Sequence, residues 1–278
     1  MPKLLQAPKR ARTKGPLRSS SRRAAPTAKT ADRTLDVFEL FAAEQRPLNL
    51  SEIADLLRIP LSSSHALIKT LQGRGYLYDL GRRRGYFPTT RMEGIVAAIA
   101  HAAPVFAALK PTLTALRDET GETVVLAKRQ GDELIYVEVF ESARTVRFSS
   151  TPGEVKPLHS TSSGKAVLSC LSPDALDDVL RRLSFQRRTD STITSARELK
   201  AQIEKGRGRG WFQSVAENVP DLMAISAPVR MGGEVYAITI GGPTGRFRPQ
   251  TARHVAALLR ACARLERTEP RHVAGAQG

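Results

Sequence analysis

Apolar positions in the first third of the chain fall into helical steps. Leu35, Phe38, Leu40 and Phe41 make one face, running to about Ala43, with Thr34 or Asp32 available as its cap and Pro47 as its stop. After Ser51, the residues Ile53, Ala54, Leu56 and Leu57 share one side of a shorter helix, which Arg58-Ile59-Pro60 breaks. A third helix, capped by Ser62, turns Ala66, Leu67, Ile68 and Leu71 inward and closes at Gly73 and Gly75. The period then drops to two. Tyr76-Leu77-Tyr78 and Tyr86-Phe87 flank Gly81-Arg82-Arg83-Arg84-Gly85, which predicts a β-hairpin with three arginines at its tip.

Beyond residue 92 the pattern mixes both periods. An Ala- and Ile-rich helix is predicted over 93–103, ended by Pro104; Ile95, Ala98 and Ile99 suit packing on a partner helix or plain burial. Val105–Thr120 is a further helix with Leu109, Leu113 and Leu116 on one face, stopped by Gly121. Thr123–Ala127 and Leu134–Phe140 read as a hairpin around Gln130-Gly131-Asp132, and Thr145–Phe148 as a third strand. Helices are predicted over Thr161–Leu171, Asp174–Leu183 and Ala196–Lys205. Strands are predicted over Gly210–Val215, Ala224–Val229 and Val235–Ile240, and a closing helix over Gln250–Leu265. Antiparallel strands with interspersed helices make an α+β sheet domain, not a repeating βαβ unit.

Charge changes this picture. The 278 residues hold 43 Lys and Arg against 27 Asp and Glu, a net charge of +16. Residues 1–33 hold ten basic groups and one acid, Asp32, without helix or strand periodicity, and read as a disordered basic arm; residues 267–278 read as a disordered tail. The arm is a solvated tail or a non-specific contact to DNA phosphates. Apolar residues at 41% supply ordinary cores, yet no apolar run approaches the ~18–20 residues that span a bilayer, and the N-terminus has no apolar leader. Two cysteines, Cys170 and Cys262, cannot form a disulfide framework or a four-ligand zinc site, and suit a reducing cytoplasm. A membrane protein, a disulfide scaffold and a Cys-rich zinc finger are excluded. No cofactor is expected, and no metal, since His101, His254 and His272 lack ligand spacing.

The candidate chemistry lies in two places. Residues 34–92 have the pattern of a winged helix-turn-helix, although a small helical bundle with a charged loop shares its apolar spacing. Such a fold presents the start of its second helix to base edges in the major groove of double-stranded DNA. Ser62, Ser63 and Ser64 are small hydrogen-bonding residues there, and His65 and Lys69 lie four apart on one face. Arg82, Arg83 and Arg84 would follow the backbone or enter the adjacent minor groove. The second place is Ser160-Thr161-Ser162-Ser163-Gly164-Lys165-Ala166. Its end looks like a P-loop, but His159 stands where the first Gly belongs and Ala166 where a Mg²⁺-holding hydroxyl belongs. A hydroxyl-rich loop entering a helix can bind a small anion or simply cap the helix. His159 and Ser160 are adjacent without being arranged as base and nucleophile, so no enzyme is expected. Trp211 and Phe212 are pocket wall or core.

These residues resemble the IclR family of bacterial transcription regulators. The run SEIADLLRIPLSSSHALIKTLQGRGYL is similar to that family's helix-turn-helix, and LKPTLTALRDETGETVVLAKRQGDELIYVE, PLHSTSSGKAVLS and ISAPVRMGGEVYAITIGGPTGRF follow in the family's order. The resemblance covers about 34–265. It implies a dimer-forming winged helix-turn-helix over 34–92, a linker helix over 93–103 and an effector-binding domain of GAF-like α+β fold over 104–266. It also implies assembly as a homodimer or homotetramer. It places Ser162 and Ser163 in the effector pocket. Ser214 and Ala224 stand where relatives often carry an acidic residue and a cysteine, which implies a different effector or one held through the Ser162–Ser163 loop and apolar walls. Ala66 stands where a basic residue is common. The function expected is a DNA-binding transcriptional regulator tuned by a small organic acid or aromatic catabolite. The alternatives are an architectural DNA-binding protein driven by the arm, or an enzyme with a GAF-like domain.

Overall fold

The computed structural model describes residues 28–81, 84–102 and 104–268. The arm up to residue 27, Arg82 and Arg83 at the hairpin tip, and the tail from 269 lie outside the described residues. The chain divides into two compact units that meet after Ala102.

The first unit opens with α1 (Lys29–Glu44), α2 (Leu50–Leu57) and α3 (Leu61–Gly73). The first helix begins well before the predicted Leu35. Its early turns are exposed and polar, so no apolar period marks them, and burial starts only at Val37. An acid in the first turn, Asp32, complements the helix dipole. The second helix is set by a capping box that the apolar pattern does not show. Asn49 accepts the Glu52 N–H at 2.9 Å, and the Glu52 carboxylate accepts the Asn49 N–H at 2.8 Å. The third helix starts one residue before the expected cap: Pro60 is its N-cap, and Ser62 lies inside the first turn. Val37, Leu40, Phe41, Ile53, Ile68 and Leu71 close one core.

Strands β1 (Leu77–Asp79) and β2 (Tyr86–Pro88) form the hairpin. Leu48 bridges to Tyr86 through both backbone bonds, at 2.8 and 3.1 Å, which ties the hairpin to the α1–α2 connection. Gly85 is needed for this. Its φ is +78°, and a Cβ there would come within 2.3 Å of the Leu48 carbonyl. Helix α4 (Arg91–Ala102) follows, and Val96 and Ile99 on it are 58% and 64% exposed.

The second unit is a six-stranded antiparallel sheet covered on both faces. Its strands are β3 (Thr123–Gln130), β4 (Glu133–Phe140), β5 (Val155–Pro157), β6 (Phe212–Val215), β7 (Leu222–Met231) and β8 (Glu234–Pro243), in the order β5-β4-β3-β8-β7-β6. Helices α5 (Pro104–Thr120) and α10 (Thr251–Thr268) pack on one face; Leu113, Ile225, Ile238, Ile240 and Leu258 fill that core. On the other face lie α6 (Ser162–Leu168), α7 (Pro173–Arg182) and α8 (Ala196–Arg209), over Val125, Ala127, Tyr136, Phe212 and Ala237. A short helix α9 (Thr244–Phe247) links β8 to α10.

Two predicted elements of the second unit differ most. Thr145–Phe148 is not a strand. Its backbone is held from the side: Thr123 donates its hydroxyl to the Phe148 carbonyl, and Arg246 donates to the Val146 carbonyl at 3.1 Å. The sheet edge is taken instead by β5. Helix α8 continues past Lys205 to Arg209 because Gly206 faces Phe212. A Cβ at 206 would lie 2.1 Å from that ring, so the glycine marks a close packing and not a helix end.

Candidate functional site

In the first unit the helical period sorts the five α3 residues expected to meet DNA. Ser62, His65 and Lys69 are exposed, and Ser63 is half-buried. Ser64 is fully buried with Leu67, Ile68 and Leu71, and its hydroxyl has no partner among the described residues. It is therefore withdrawn from the reading face. The spacing 64, 67, 68, 71 is the buried stripe of an amphipathic helix, and that stripe is the signal that could have found it. Ala66, expected inside, is exposed beside His65 and Lys69, and Leu61 is exposed at the first position. Of the three tip arginines only Arg84 is described. It is exposed, in a turn closed by Leu80 N–H donating to the Gly85 carbonyl at 2.8 Å. Ser62, His65 and Lys69 thus lie on the exposed side of α3, next to the apolar Leu61 and Ala66.

In the second unit, Ser162, Ser163, Ser214 and Ala224 come from separate stretches of sequence to the sheet face under α6. Ser214 and Ala224 are register partners on β6 and β7. Ser214 donates its hydroxyl to the Ser160 carbonyl at 3.1 Å, just ahead of α6. Ser226 on β7 donates to the Ser162 hydroxyl at 2.7 Å and lies 2.7 Å from the Thr239 hydroxyl on β8, its cross-strand partner. The Ser163 and Tyr136 hydroxyls are bonded to one another, and burial holds the Tyr136 phenol protonated. Thr161 caps the helix by accepting the Gly164 N–H at 3.1 Å. Sequence reasoning missed Ser226, Thr239, Tyr136 and Phe148. The Phe148 ring sits over β8, where a Cβ on Gly241 would meet it at 3.2 Å and Ala224 at 3.7 Å. The result is an enclosed cluster of hydroxyls beside two very small side chains and one aromatic ring. Hydroxyls suit such a place because each can turn either a hydrogen or a lone pair inward.

A buried ion pair adjoins this cluster. Lys165, one turn past Ser162, is 1% exposed and donates to both Glu217 oxygens at 2.7 and 2.8 Å, to the Gln213 carbonyl at 3.0 Å and to Gln202 Oε1 at 2.5 Å. Burial pulls the Lys165 pKa down and pushes the Glu217 pKa up, while their mutual attraction opposes both shifts. This satisfied pair, and not phosphate binding, accounts for the lysine of the Gly-Lys-Ala segment. His159 donates from Nε2 to the Gln186 carbonyl at 3.1 Å, and burial lowers its pKa against the opposing pull of that bond. Phe212 is core, and Trp211 packs partly buried on the other face. Among the described residues no group of His, Cys, Asp and Glu is placed to hold a metal ion, and no helix is long and apolar enough to cross a membrane.

A winged helix-turn-helix joined to a two-faced antiparallel sheet with an enclosed hydroxyl cluster defines a class of two-domain regulators. The family model for the bacterial transcriptional regulator IclR C-terminal domain matches residues 97–265, and the IclR helix-turn-helix model matches 30–81. The transcriptional regulator BhcR of Paracoccus denitrificans is 31% identical over 220 residues, 78% of each chain. The transcriptional repressor AllR of Klebsiella pneumoniae is 28% identical over 239 residues, 85% of this chain and 88% of its own. The IclR crystal structure from Thermotoga maritima superposes with a TM-score of 0.73 at 23% identity, over 87% of this chain and 98% of that one. An IclR homologue from Microbacterium hydrocarbonoxydans, crystallised with 4-hydroxybenzoate, gives 0.67 at 19% identity, over 86% and 98%. The chain belongs to the IclR family. It is a transcriptional regulator with a DNA-binding helix-turn-helix domain and an effector-binding C-terminal domain.

Proposed function

We propose that this regulator, working in the cytoplasm as a homodimer or homotetramer, reads a palindromic or repeated operator. It does so through Ser62, Ser63, His65 and Lys69 of α3 and the arginines of the wing. Its affinity for that operator changes when a small organic acid or aromatic carboxylate binds among Ser162, Ser163, Ser214, Ala224 and Phe148. The observation that carries the reading is the convergence of those residues on one sheet face, beneath one aromatic ring. The Phe148 ring covers Ala224 and Gly241, so a planar body would enter by displacing that ring, and the hydroxyls can turn donors to its polar end. The relative that holds 4-hydroxybenzoate supports a ligand of this size. The exposed Val96 and Ile99 on α4 support assembly through that helix. The effector acts by its difference in affinity for two arrangements of the assembly. These space the recognition helices differently against half-sites about 34–36 Å apart.

Selection of genomic fragments on purified protein tests this, at a stated salt concentration, with the full chain and a form lacking residues 1–27. Both are expected to enrich one symmetric or repeated motif. Flat enrichment, with binding that disappears with the arm, would replace this reading by an architectural one.

A further inference from the structure

The Lys165–Glu217 pair forms the floor of a cleft of about 260 Å³ against α8 and β6. Ser191, Gln202, Lys205 and Arg209 stand around it. The hydrogen-bonding character of this cleft is one-sided. Lys165 takes both Glu217 oxygens and the Gln213 carbonyl. Gln202 must turn its oxygen to the same ammonium, which directs its amide NH₂ away from the lysine. Those acceptors face the Lys165 ammonium. Of the other polar lining groups, the Gln202 amide NH₂, the Lys205 ammonium and the Arg209 guanidinium donate only, and the Ser191 hydroxyl can donate or accept.

The two outer cations are also unneutralised. Neither Lys205 nor Arg209 has a carboxylate at ion-pair distance among the described residues, whereas Arg207 between them is paired with Glu204. Arg209 lies flat on Trp211, 3.7 Å from the ring centroid, and its Nε donates to the Trp211 carbonyl at 2.6 Å. Its terminal nitrogens are thus held in a fixed plane, and partial burial has already removed some of its water. Three cations against one carboxylate leave the lining positive.

We propose that this cleft is a second ligand site, separate from the Ser162–Phe148 pocket, and that it takes a small acceptor-only dianion, a dicarboxylate or a phosphate. A ligand that offers acceptors alone matches a lining whose unpaired charged groups are both cations, and charge-assisted bonds from Lys205 and Arg209 hold it. The site is also wired to the first pocket. Lys165 is one helical turn from Ser162, and Glu217 follows Ser214 on the same strand exit, so a dianion here bears on both elements that frame the effector pocket.

Trp211 is the only tryptophan of the chain and carries the Arg209 guanidinium on its face, which makes its fluorescence a reporter of this cleft. The experiment titrates the full-length protein with malonate and, separately, with inorganic phosphate, at ionic strength held constant with sodium chloride. A saturable change with at least one of them is expected. Lys205→Glu, which removes one cation and sets a carboxylate one turn from Arg209, is expected to weaken it about tenfold or more. Arg209→Gln is expected to weaken the same ligand's stabilisation of the fold, read from the thermal midpoint. Ala224→Val, which narrows the other pocket, is expected to leave the titration unchanged. No saturable change with either anion would overturn the proposal. So would an equal response in Lys205→Glu, or a response lost in Ala224→Val and kept in Lys205→Glu.

Discussion

At the scale of single residues, α3 shows how far type and position part company. Ser62, Ser63 and Ser64 are chemically alike and consecutive, yet one is exposed, one half-buried and one fully enclosed. Ser64→Ala is expected to leave operator affinity unchanged and stability unchanged or raised by up to about 1 kcal/mol, because it removes a hydroxyl buried without a partner. Lys69→Ala is expected to weaken binding to all sequences and to reduce the log–log salt slope by about 1. Anisotropy titrations at several salt concentrations check the two affinities, and chemical denaturation checks the stability of Ser64→Ala. His254 offers a second case. It is fully buried, and burial depresses its pKa, opposed by Glu122 and reinforced by Arg253 and Arg144. The unfolded chain takes up a proton there below about pH 6.5 and the native one does not, so stability falls as pH falls through that range. Thermal melts are expected to show a lower midpoint at pH 5 than at pH 7.5, and a smaller difference in His254→Leu. An equal difference in the variant would remove His254 from the account.

At the scale of elements, helices and sheet strands were mostly legible because their apolar periods are strong. The misreadings have particular causes. Thr145-Val146-Arg147-Phe148 alternates and holds two β-branched residues, but its Val146 and Phe148 carbonyls accept from the side chains of Arg246 and of Thr123 on β3 in place of a strand partner. Gly206 reads locally as a helix stop, and only Phe212 explains it. Gly206→Ala gains helix propensity of under about 1 kcal/mol but drives a methyl into that ring. A net loss of about 1–3 kcal/mol is expected in chemical denaturation. The candidate pocket was legible at Ser162, Ser163, Ser214 and Ala224 through resemblance to a family. The Ser226–Thr239 pairing and the Phe148 ring were not, since they depend on strand register and on a loop folding back. The Lys165–Glu217 pair had no local signal at all; its partners lie on different elements, far apart in the chain.

At the scale of the whole molecule, the two units differ in how they are built. The helix-turn-helix core is made from neighbouring stretches of chain, whereas the sheet joins β3 to β8 across nearly the entire second unit. At the end of the first unit α4 leaves Val96 and Ile99 exposed, which an isolated copy gains nothing by presenting to water. Val96→Ser with Ile99→Ser is expected to shift the protein to a smaller species in sedimentation velocity, with the fold of both units intact by circular dichroism. An unchanged species would place the contact between copies elsewhere.

The sheet topology has a consequence during synthesis. Ribosomes deliver the N-terminus first, and the core and hairpin contacts that hold α3 and its wing in place are all encoded by Arg91. The effector pocket cannot close until β8, the last strand, is translated and slots between β3 and β7. A nascent chain therefore completes its DNA-reading unit before the unit that senses the effector. A gene truncated between those points would leave the helix-turn-helix without the domain that tunes it.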